Sequence, residues 1–266
     1  MLPTVDLSKR LEREEYRQRI LDCQLKLREL AFRLYQEKRS LIVVVEGWDA
    51  AGKGGSIRRA IEKIDPRGYE VYSIAAPEGE DRTHHYLWRF WRRLKSPDDK
   101  QIVIFDRSWY GRVLVERVEG FATESEWKRA YREINHFERQ LTDHGMILVK
   151  LWFEISAEEQ LRRFEARRET PHKQWKLTEE DWRNRRKWGL YEEALIDMLR
   201  KTSTLTAPWT IIEGNDKLWA RVKTQETLIA ALEANLEAPE RQKATADEKS
   251  GTGKKKSSKK GDKNKS

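Results

Sequence analysis

From residue 7 to residue 39 the apolar side chains Leu11, Ile20, Leu21, Leu25, Leu27, Leu30, Phe32 and Leu34 recur at roughly helical spacing. Glu, Arg and Gln fill the gaps and neither Gly nor Pro interrupts, so the pattern predicts one long amphipathic helix. Beyond it the rhythm changes. Short runs rich in β-branched and aromatic residues, at 41–46, 70–75, 102–106, 146–153 and 209–213, alternate with longer helical stretches. That alternation predicts βαβ units around a parallel sheet. The run Leu41-Ile42-Val43-Val44-Val45 has no polar member and reads as a central strand buried on both faces. From about Pro239 the chain is Lys, Ser, Gly and Asp with no large apolar residue, a composition that predicts disorder. The expected organisation is an N-terminal helical extension (1–40), an α/β domain (41–238) and a Lys-rich tail (239–266).

Composition narrows the class. Charged residues make up 37% and hydrophobic residues 38% of the 266, against about 25% and 45–50% in ordinary globular chains. The 11 Trp, 8 Tyr and 7 Phe nevertheless supply material for a real core. No apolar run approaches the ~20 residues that a bilayer requires, so no membrane span is expected. Residues 1–15 are charged and lack the apolar stretch of a secretory signal. The single cysteine, Cys23, permits neither an internal disulfide nor a cysteine-built metal site, which fits a reducing cytoplasm.

The net charge of +9 is unevenly placed. Residues 241–266 hold 10 Lys/Arg and 3 Asp/Glu, a net +7; the preceding 240 residues hold 44 and 42, a net +2. The tail reads either as a solubilising extension or as a polybasic arm for polyanions, and deletion of 244–266 separates the two. A nearly balanced body argues against nucleic-acid binding by the folded part.

Directly after the aliphatic run comes Gly47-Trp48-Asp49-Ala50-Ala51-Gly52-Lys53-Gly54-Gly55, then a helical stretch. The spacing G-x-x-x-x-G-K between strand and helix is that of a phosphate loop. Gly47, Gly52, Gly54 and Gly55 let backbone amides converge on phosphate oxygens at a helix N-terminus, and Lys53 reaches them as a point charge. The Ser or Thr that ordinarily follows the lysine and holds Mg²⁺ is here Gly54. Asp49, inside the loop, is the substitute oxygen ligand. A second apolar run, Ile102-Val103-Ile104-Phe105, ends in Asp106 and continues as Arg107 and, five residues later, Arg112. An acid at the carboxyl end of a strand lies where open α/β sheets bind ligands. Asp49 and Asp106 are thus the candidate metal residues, with Lys53, Arg107 and Arg112 as anion partners.

The stretch 158–187 is dense in Arg and Lys, and Pro171 and Thr178 predict two helices with a break between them. Arg163 and Arg167 lie four apart and can share one face. Beside a phosphate site, such residues become candidate lid cations.

Together, these motifs resemble the polyphosphate kinase 2 family. The resemblance rests on Glu46-Gly47-Trp48-Asp49-Ala50-Ala51-Gly52-Lys53-Gly54-Gly55, Asp106-Arg107-Ser108-Trp109-Tyr110 and Pro171-His172-Lys173-Gln174-Trp175-Lys176-Leu177. It continues in Ala207-Pro208-Trp209 and Asn215-Asp216-Lys217, and covers about 7–237. It implies a three-layer α/β/α P-loop kinase fold, thymidylate-kinase-like, with a parallel five-stranded sheet and a helical lid at about 158–190. It implies transfer of a terminal phosphoryl group between inorganic polyphosphate and a nucleoside mono- or diphosphate, with Mg²⁺ or Mn²⁺. By matching position, Asp49 and Asp106 would organise metal and phosphates, Lys53 and Arg107 would hold phosphate oxygens, and Arg167 would lead the lid. Lys173 and Lys176 would add phosphate or nucleotide contacts there, while Arg58, Arg59 and Lys63 would line a path for the chain of phosphates. Gly111-Arg112-Val113-Leu114-Val115-Glu116-Arg117 resembles the branch that converts AMP to ADP, with ADP to ATP as the other reaction and guanine as the other base. A homodimer or homotetramer is implied as well. Two other readings remain: an ATP-using nucleoside monophosphate kinase, disfavoured by Gly54, and a nucleic-acid-binding protein, disfavoured by the +2 balance of the body.

Overall fold

The computed structural model describes residues 5–96, 99 and 101–236; the Lys-rich tail lies outside them. Along the chain the elements are α1 (Arg13–Gln36), β1 (Leu41–Gly47), α2 (Lys53–Ile61), β2 (Tyr69–Ser73), a one-turn α3 (Trp88–Trp91) and β3 (Ile102–Asp106). They continue as a one-turn α4 (Val115–Val118), α5 (Glu124–Asp143), β4 (Ile147–Glu154), α6 (Ala157–Glu169), α7 (Glu179–Arg186), α8 (Trp188–Thr202), β5 (Trp209–Glu213) and α9 (Lys217–Asn235). Every strand expected from the apolar runs is present within two residues at its ends. The long first helix starts six residues later than its periodicity suggested, where Glu14 and Glu15 enter its first turn and favour the positive end of the helix dipole.

The strands form one sheet in the order β2-β3-β1-β4-β5, with all four pairings parallel. β1 lies in the middle with β3 on one side and β4 on the other, so Val45 is flanked by Asp106 and Leu151. Its first six residues are buried, as expected of a strand covered on both faces. The connection from β1 through α2 runs toward one edge, whereas those from β3 and β4 run toward the other. Right-handed crossovers therefore place their helices on opposite faces. α1, α2 and α9 pack together on one face, and α5 packs with α8 on the other, giving three layers. Leu27, Leu30 and Leu34 of α1 belong to the same core as the sheet. Among the described residues no helix is long and apolar enough to cross a membrane.

One polar knot sits inside this core. Lys150, in the middle of β4 and 0% exposed, donates to Glu138 Oε2 (2.7 Å), the Tyr110 hydroxyl (3.0 Å) and the Thr202 carbonyl (2.7 Å). Glu138 also accepts from Trp109 Nε1 (3.0 Å) and the Tyr110 hydroxyl (2.6 Å). Burial pushes Glu138 upward and Lys150 downward, each toward its neutral form and against their mutual attraction. The knot fixes the segment that follows β3. Lys150→Met removes the cation and leaves the acid buried, so a loss of about 3–5 kcal/mol in urea unfolding is expected. Adding Glu138→Leu should recover part of that loss, because Trp109 and Tyr110 still lack an acceptor.

Candidate phosphate-binding active site

β1 leaves the sheet at Gly47, whose φ of 149° suits glycine alone. A Cβ there would stand 2.5 Å from the Phe153 carbonyl oxygen of β4. The chain then turns through Ala50 (φ 62°) to Gly52 (φ 106°), the N-cap of α2. No side chain caps this helix, so its first-turn amides are open to an anion. Lys53 stands at the first position of α2 and folds back, its Nζ donating to the carbonyls of Gly47 (2.8 Å) and Trp48 (3.0 Å). Burial lowers its pKa, while Asp49 foremost, with Asp106 and Glu46, draws it back up.

The two acids face this lysine from different elements. Asp106 ends β3, and its Oδ2 lies 3.9 Å from where a Gly54 Cβ would be, so the missing Ser/Thr position adjoins a carboxylate. Among the described residues no donor or ion-pair partner holds the Asp106 side chain. Asp49, in contrast, is held on both oxygens: Oδ1 accepts from Arg107 Nη2 and Oδ2 from Asn184 Nδ2, both at 2.9 Å. Arg107 takes a left-handed φ of 64°, unusual for a side-chain-bearing residue, and its amide bonds the Val45 carbonyl (3.0 Å). Below the loop Ser108 Oγ donates to the buried Glu46 (2.8 Å).

The loop is also gripped from outside, by Gln160, which the sequence did not single out, and by Arg163, expected as a lid cation and found instead under the loop. Arg163 of α6 is buried; its Nη1 donates to the Ala50 carbonyl (2.9 Å) and its Nη2 to those of Gly214 (2.5 Å) and Asn215 (3.0 Å). Gln160 Nε2 reaches the Asp49 carbonyl (3.2 Å). Trp48 stacks on Trp188 of α8 (centroids 3.7 Å, planes 6° apart), and its indole N–H donates to Glu154 (3.0 Å). A sequence clue existed: Gln160/Arg163 and Asn184/Trp188/Tyr191 each follow one-face helical spacing.

The structure thus brings Asp49, Lys53, Asp106 and Arg107 together at the carboxyl edge of the sheet, with Gly47, Gly52, Gly54 and Gly55 beneath. Other expected residues lie elsewhere. Arg112 is half-buried, paired with Glu116 (3.0 Å) and lying over the Tyr86 ring (4.6 Å). Arg58 and Lys63 are exposed and, with Arg28, border an open hollow of about 640 Å³, while Arg59 turns to Glu62 (3.6 Å). Arg167 is half-buried in the last turn of α6, one turn beyond Arg163. The side chains of Lys173 and Lys176 lie outside the described residues.

Asp106 and Asp49 suit a hard divalent cation, since carboxylate oxygens are its preferred protein ligands. Among the described residues no group of three or more His, Cys, Asp or Glu could cage one. A cation here would therefore complete its shell with water and phosphate oxygens.

A family model described as Polyphosphate kinase 2 matches residues 10–240. The polyphosphate:AMP phosphotransferases of Pseudomonas syringae pv. tomato and Pseudomonas aeruginosa are 52% and 50% identical to this chain, each over 88% of it. Those alignments span 46% and 47% of the two proteins, so the chain covers about half the length of these curated relatives. The solved structure of polyphosphate kinase 2 from Arthrobacter aurescens TC1 superposes with a TM-score of 0.83, at 31% identity, over 93% of either chain.

Glu46 yields a pH test. Burial pushes its carboxyl above the ordinary range, against the Ser108 hydroxyl, Lys53 and Arg107. A carboxyl raised on folding contributes stability below its unfolded pKa of about 4.3 and loses that contribution as pH rises through the folded value. Glu46→Gln is neutral throughout. Its urea midpoint relative to wild type should therefore rise between about pH 4 and pH 7.5, and an offset independent of pH would contradict the raised carboxyl.

Proposed function

This chain belongs to the polyphosphate kinase 2 family, and we propose that it transfers a terminal phosphoryl group from inorganic polyphosphate to a nucleotide, AMP before ADP. The observation that carries this reading is the convergence of loop amides, Lys53, Arg107 and two carboxylates, one of them with no protein partner among the described residues. The names of the relatives support the donor and the acceptor, and Gly111-Arg112-Val113 supports the AMP branch.

The chemistry asks for position and charge more than for a reactive side chain. An acceptor phosphate oxygen is already anionic near neutral pH, so attack on the terminal phosphorus needs no base to begin. As the new P–O bond forms, the bond to the polyphosphate chain breaks and its electrons leave on a phosphate oxygen. A loose transition state of this kind spreads charge over the transferring group. The loop amides and Lys53 hold the phosphates, and Arg107 adds a cation that Asp49 keeps in place. Asp49 and Asp106 would hold Mg²⁺, or Mn²⁺, which when bound neutralises oxygens of donor and acceptor. Arg28, Arg58 and Lys63 offer an exposed basic border for the donor chain along α2. The segment 158–190 serves as the lid, with Arg167 in its first helix. Adenine nucleotides are the proposed acceptors, with guanine as the other base.

A soluble enzyme of the cytoplasm, assembled as a homodimer or homotetramer, completes the proposal. The exposed Leu21, Leu25, Phe32 and Tyr35 on α1 are an apolar stripe that a second copy would cover. An ATP-dependent monophosphate kinase is the rival reading, and one assay separates them: AMP, polyphosphate and Mg²⁺ without ATP, followed by nucleotide chromatography. ADP should form, and EDTA should stop it until Mg²⁺ is restored. Lys53→Ala and Asp106→Asn should each lower transfer by about 10²–10³ or more, the scale of losing one preorganised charge contact. Both should melt within a few degrees of wild type, and near-normal turnover in either would remove its assigned role.

A further inference from the structure

Among the described residues both oxygens of Asp49 are held by the protein, and one of the donors comes from a helix far along the chain. Asn184, in α7, is buried and its Nδ2 donates to Asp49 Oδ2 at 2.9 Å. The opposite end of the same amide accepts from the Tyr191 hydroxyl at 3.1 Å. An ionised carboxylate only accepts, so these partners fix which end of the amide faces Asp49. Arg107 holds Oδ1 alone; without Asn184 the carboxylate has a single anchor and can swing about it.

The same corner is clasped to the body of the enzyme. Glu119, beyond α4, pairs with Arg183 (3.1 Å) and Lys187 (2.8 Å), and its Oε1 lies 3.4 Å from the Tyr191 hydroxyl, whose one proton goes to the nearer Asn184 oxygen. Trp188 lies flat on Trp48 of the loop. Asn184, Trp188 and Tyr191 are spaced four and three apart, so a single face across the α7–α8 join meets the loop. Seating α7 and aiming Asp49 are consequently one event.

We propose that Asn184 is a positioning residue: it sets the Asp49 carboxylate for the divalent cation and the phosphates, and does so only while α7 is docked. This rests on the phosphotransfer reading given above, in which Asp49 faces the metal. Each Asp49 oxygen keeps a further lone pair while bonded to Arg107 or Asn184, so the anchoring leaves room for a ligand. A supporting group that orients a metal-binding carboxylate is commonly worth about 10–100-fold in metal affinity or activity.

The test uses the full chain and two variants, Asn184→Ala and Tyr191→Phe, the latter keeping its ring beside Trp48. Two quantities are read. One is the Mg²⁺ dependence of AMP phosphorylation by polyphosphate. The other, independent of turnover, is the rise in melting temperature produced by Mg²⁺ with inorganic tripolyphosphate. Asn184→Ala should raise the Mg²⁺ concentration for half-maximal rate about ten-fold and shrink the melting shift, with the KM for AMP within about two-fold of wild type. Tyr191→Phe should move both quantities the same way by less. In an Asp49→Asn background, adding Asn184→Ala should change neither further.

A folded Asn184→Ala protein with wild-type Mg²⁺ response overturns the proposal, as does a loss of equal size in the Asp49→Asn background. Should Asn184→Ala fail to fold, an unchanged Mg²⁺ response in Tyr191→Phe overturns it. A wild-type chain that neither transfers phosphate nor melts higher with Mg²⁺ and tripolyphosphate brings down the phosphotransfer reading itself, and this inference with it.

Discussion

The close approach of Gly47 to Phe153 is the constraint on which the site depends. β1 is packed on both sides by parallel neighbours, and at its last residue the backbone of β4 leaves no room for a side chain. The chain can leave the sheet only through a glycine with positive φ, and it leaves over the carboxyl edge beside Asp106. That exit puts the following amides, Lys53 and Asp49 above β1 and next to the end of β3. A bulkier residue at position 47 would move all of them together.

A loop built on positive-φ residues carries little stiffness of its own, so its shape is set by what surrounds it. Below, Ser108 and Glu46 tie the segment after β3 to β1, and the Lys150–Glu138 knot holds Trp109 and Tyr110 in the core. Outside, Arg163 bonds the loop carbonyl of Ala50 and the carbonyls of Gly214 and Asn215 at once, so the loop and the β5–α9 connection move as one. Trp48 is fixed by stacking on one side and by its indole N–H on the other. These contacts come from elements spread along the chain, and none of them consumes the open carboxylate of Asp106.

How much of this was legible in the sequence follows from the range of each interaction. The strands were visible because a strand buried on both faces must be a continuous apolar run, as at 41–45. The loop was visible because its glycines and lysine must fall at fixed spacing within nine residues. Asp106 was visible because the edge of a strand fixes where its last side chain sits. The role of Arg163 was not: it stood among the candidate lid cations, and a dense run of Arg and Glu looks the same whether one guanidinium is buried under a loop or all are solvated. Asn184 and Lys150 were hidden for a related reason. Their partners lie 135 and 12 to 52 residues away, and no local pattern records a pairing made only by tertiary packing. Arg112, taken from its distance to Asp106, instead pairs locally with Glu116, because a one-turn helix brings that acid within reach.

The charges at the centre give the last step. Lys53 and Arg107 face Asp49 and Asp106, two cations against two anions, and Glu46 beneath them is pushed by burial toward its neutral form. A site so balanced is stable without a ligand, yet it holds no surplus positive charge for a substrate carrying several negative ones. The surplus has to arrive with the substrate or from protein cations outside this cluster. Two carboxylates without a cage suit a cation that comes bound to phosphate, since the missing ligands are then supplied by what it accompanies. On the proposed function, basic residues on α6 and α7 would supply the rest from a segment clasped to Glu119. Balance at rest and excess on loading are both served by keeping Asp49 anchored and Asp106 open.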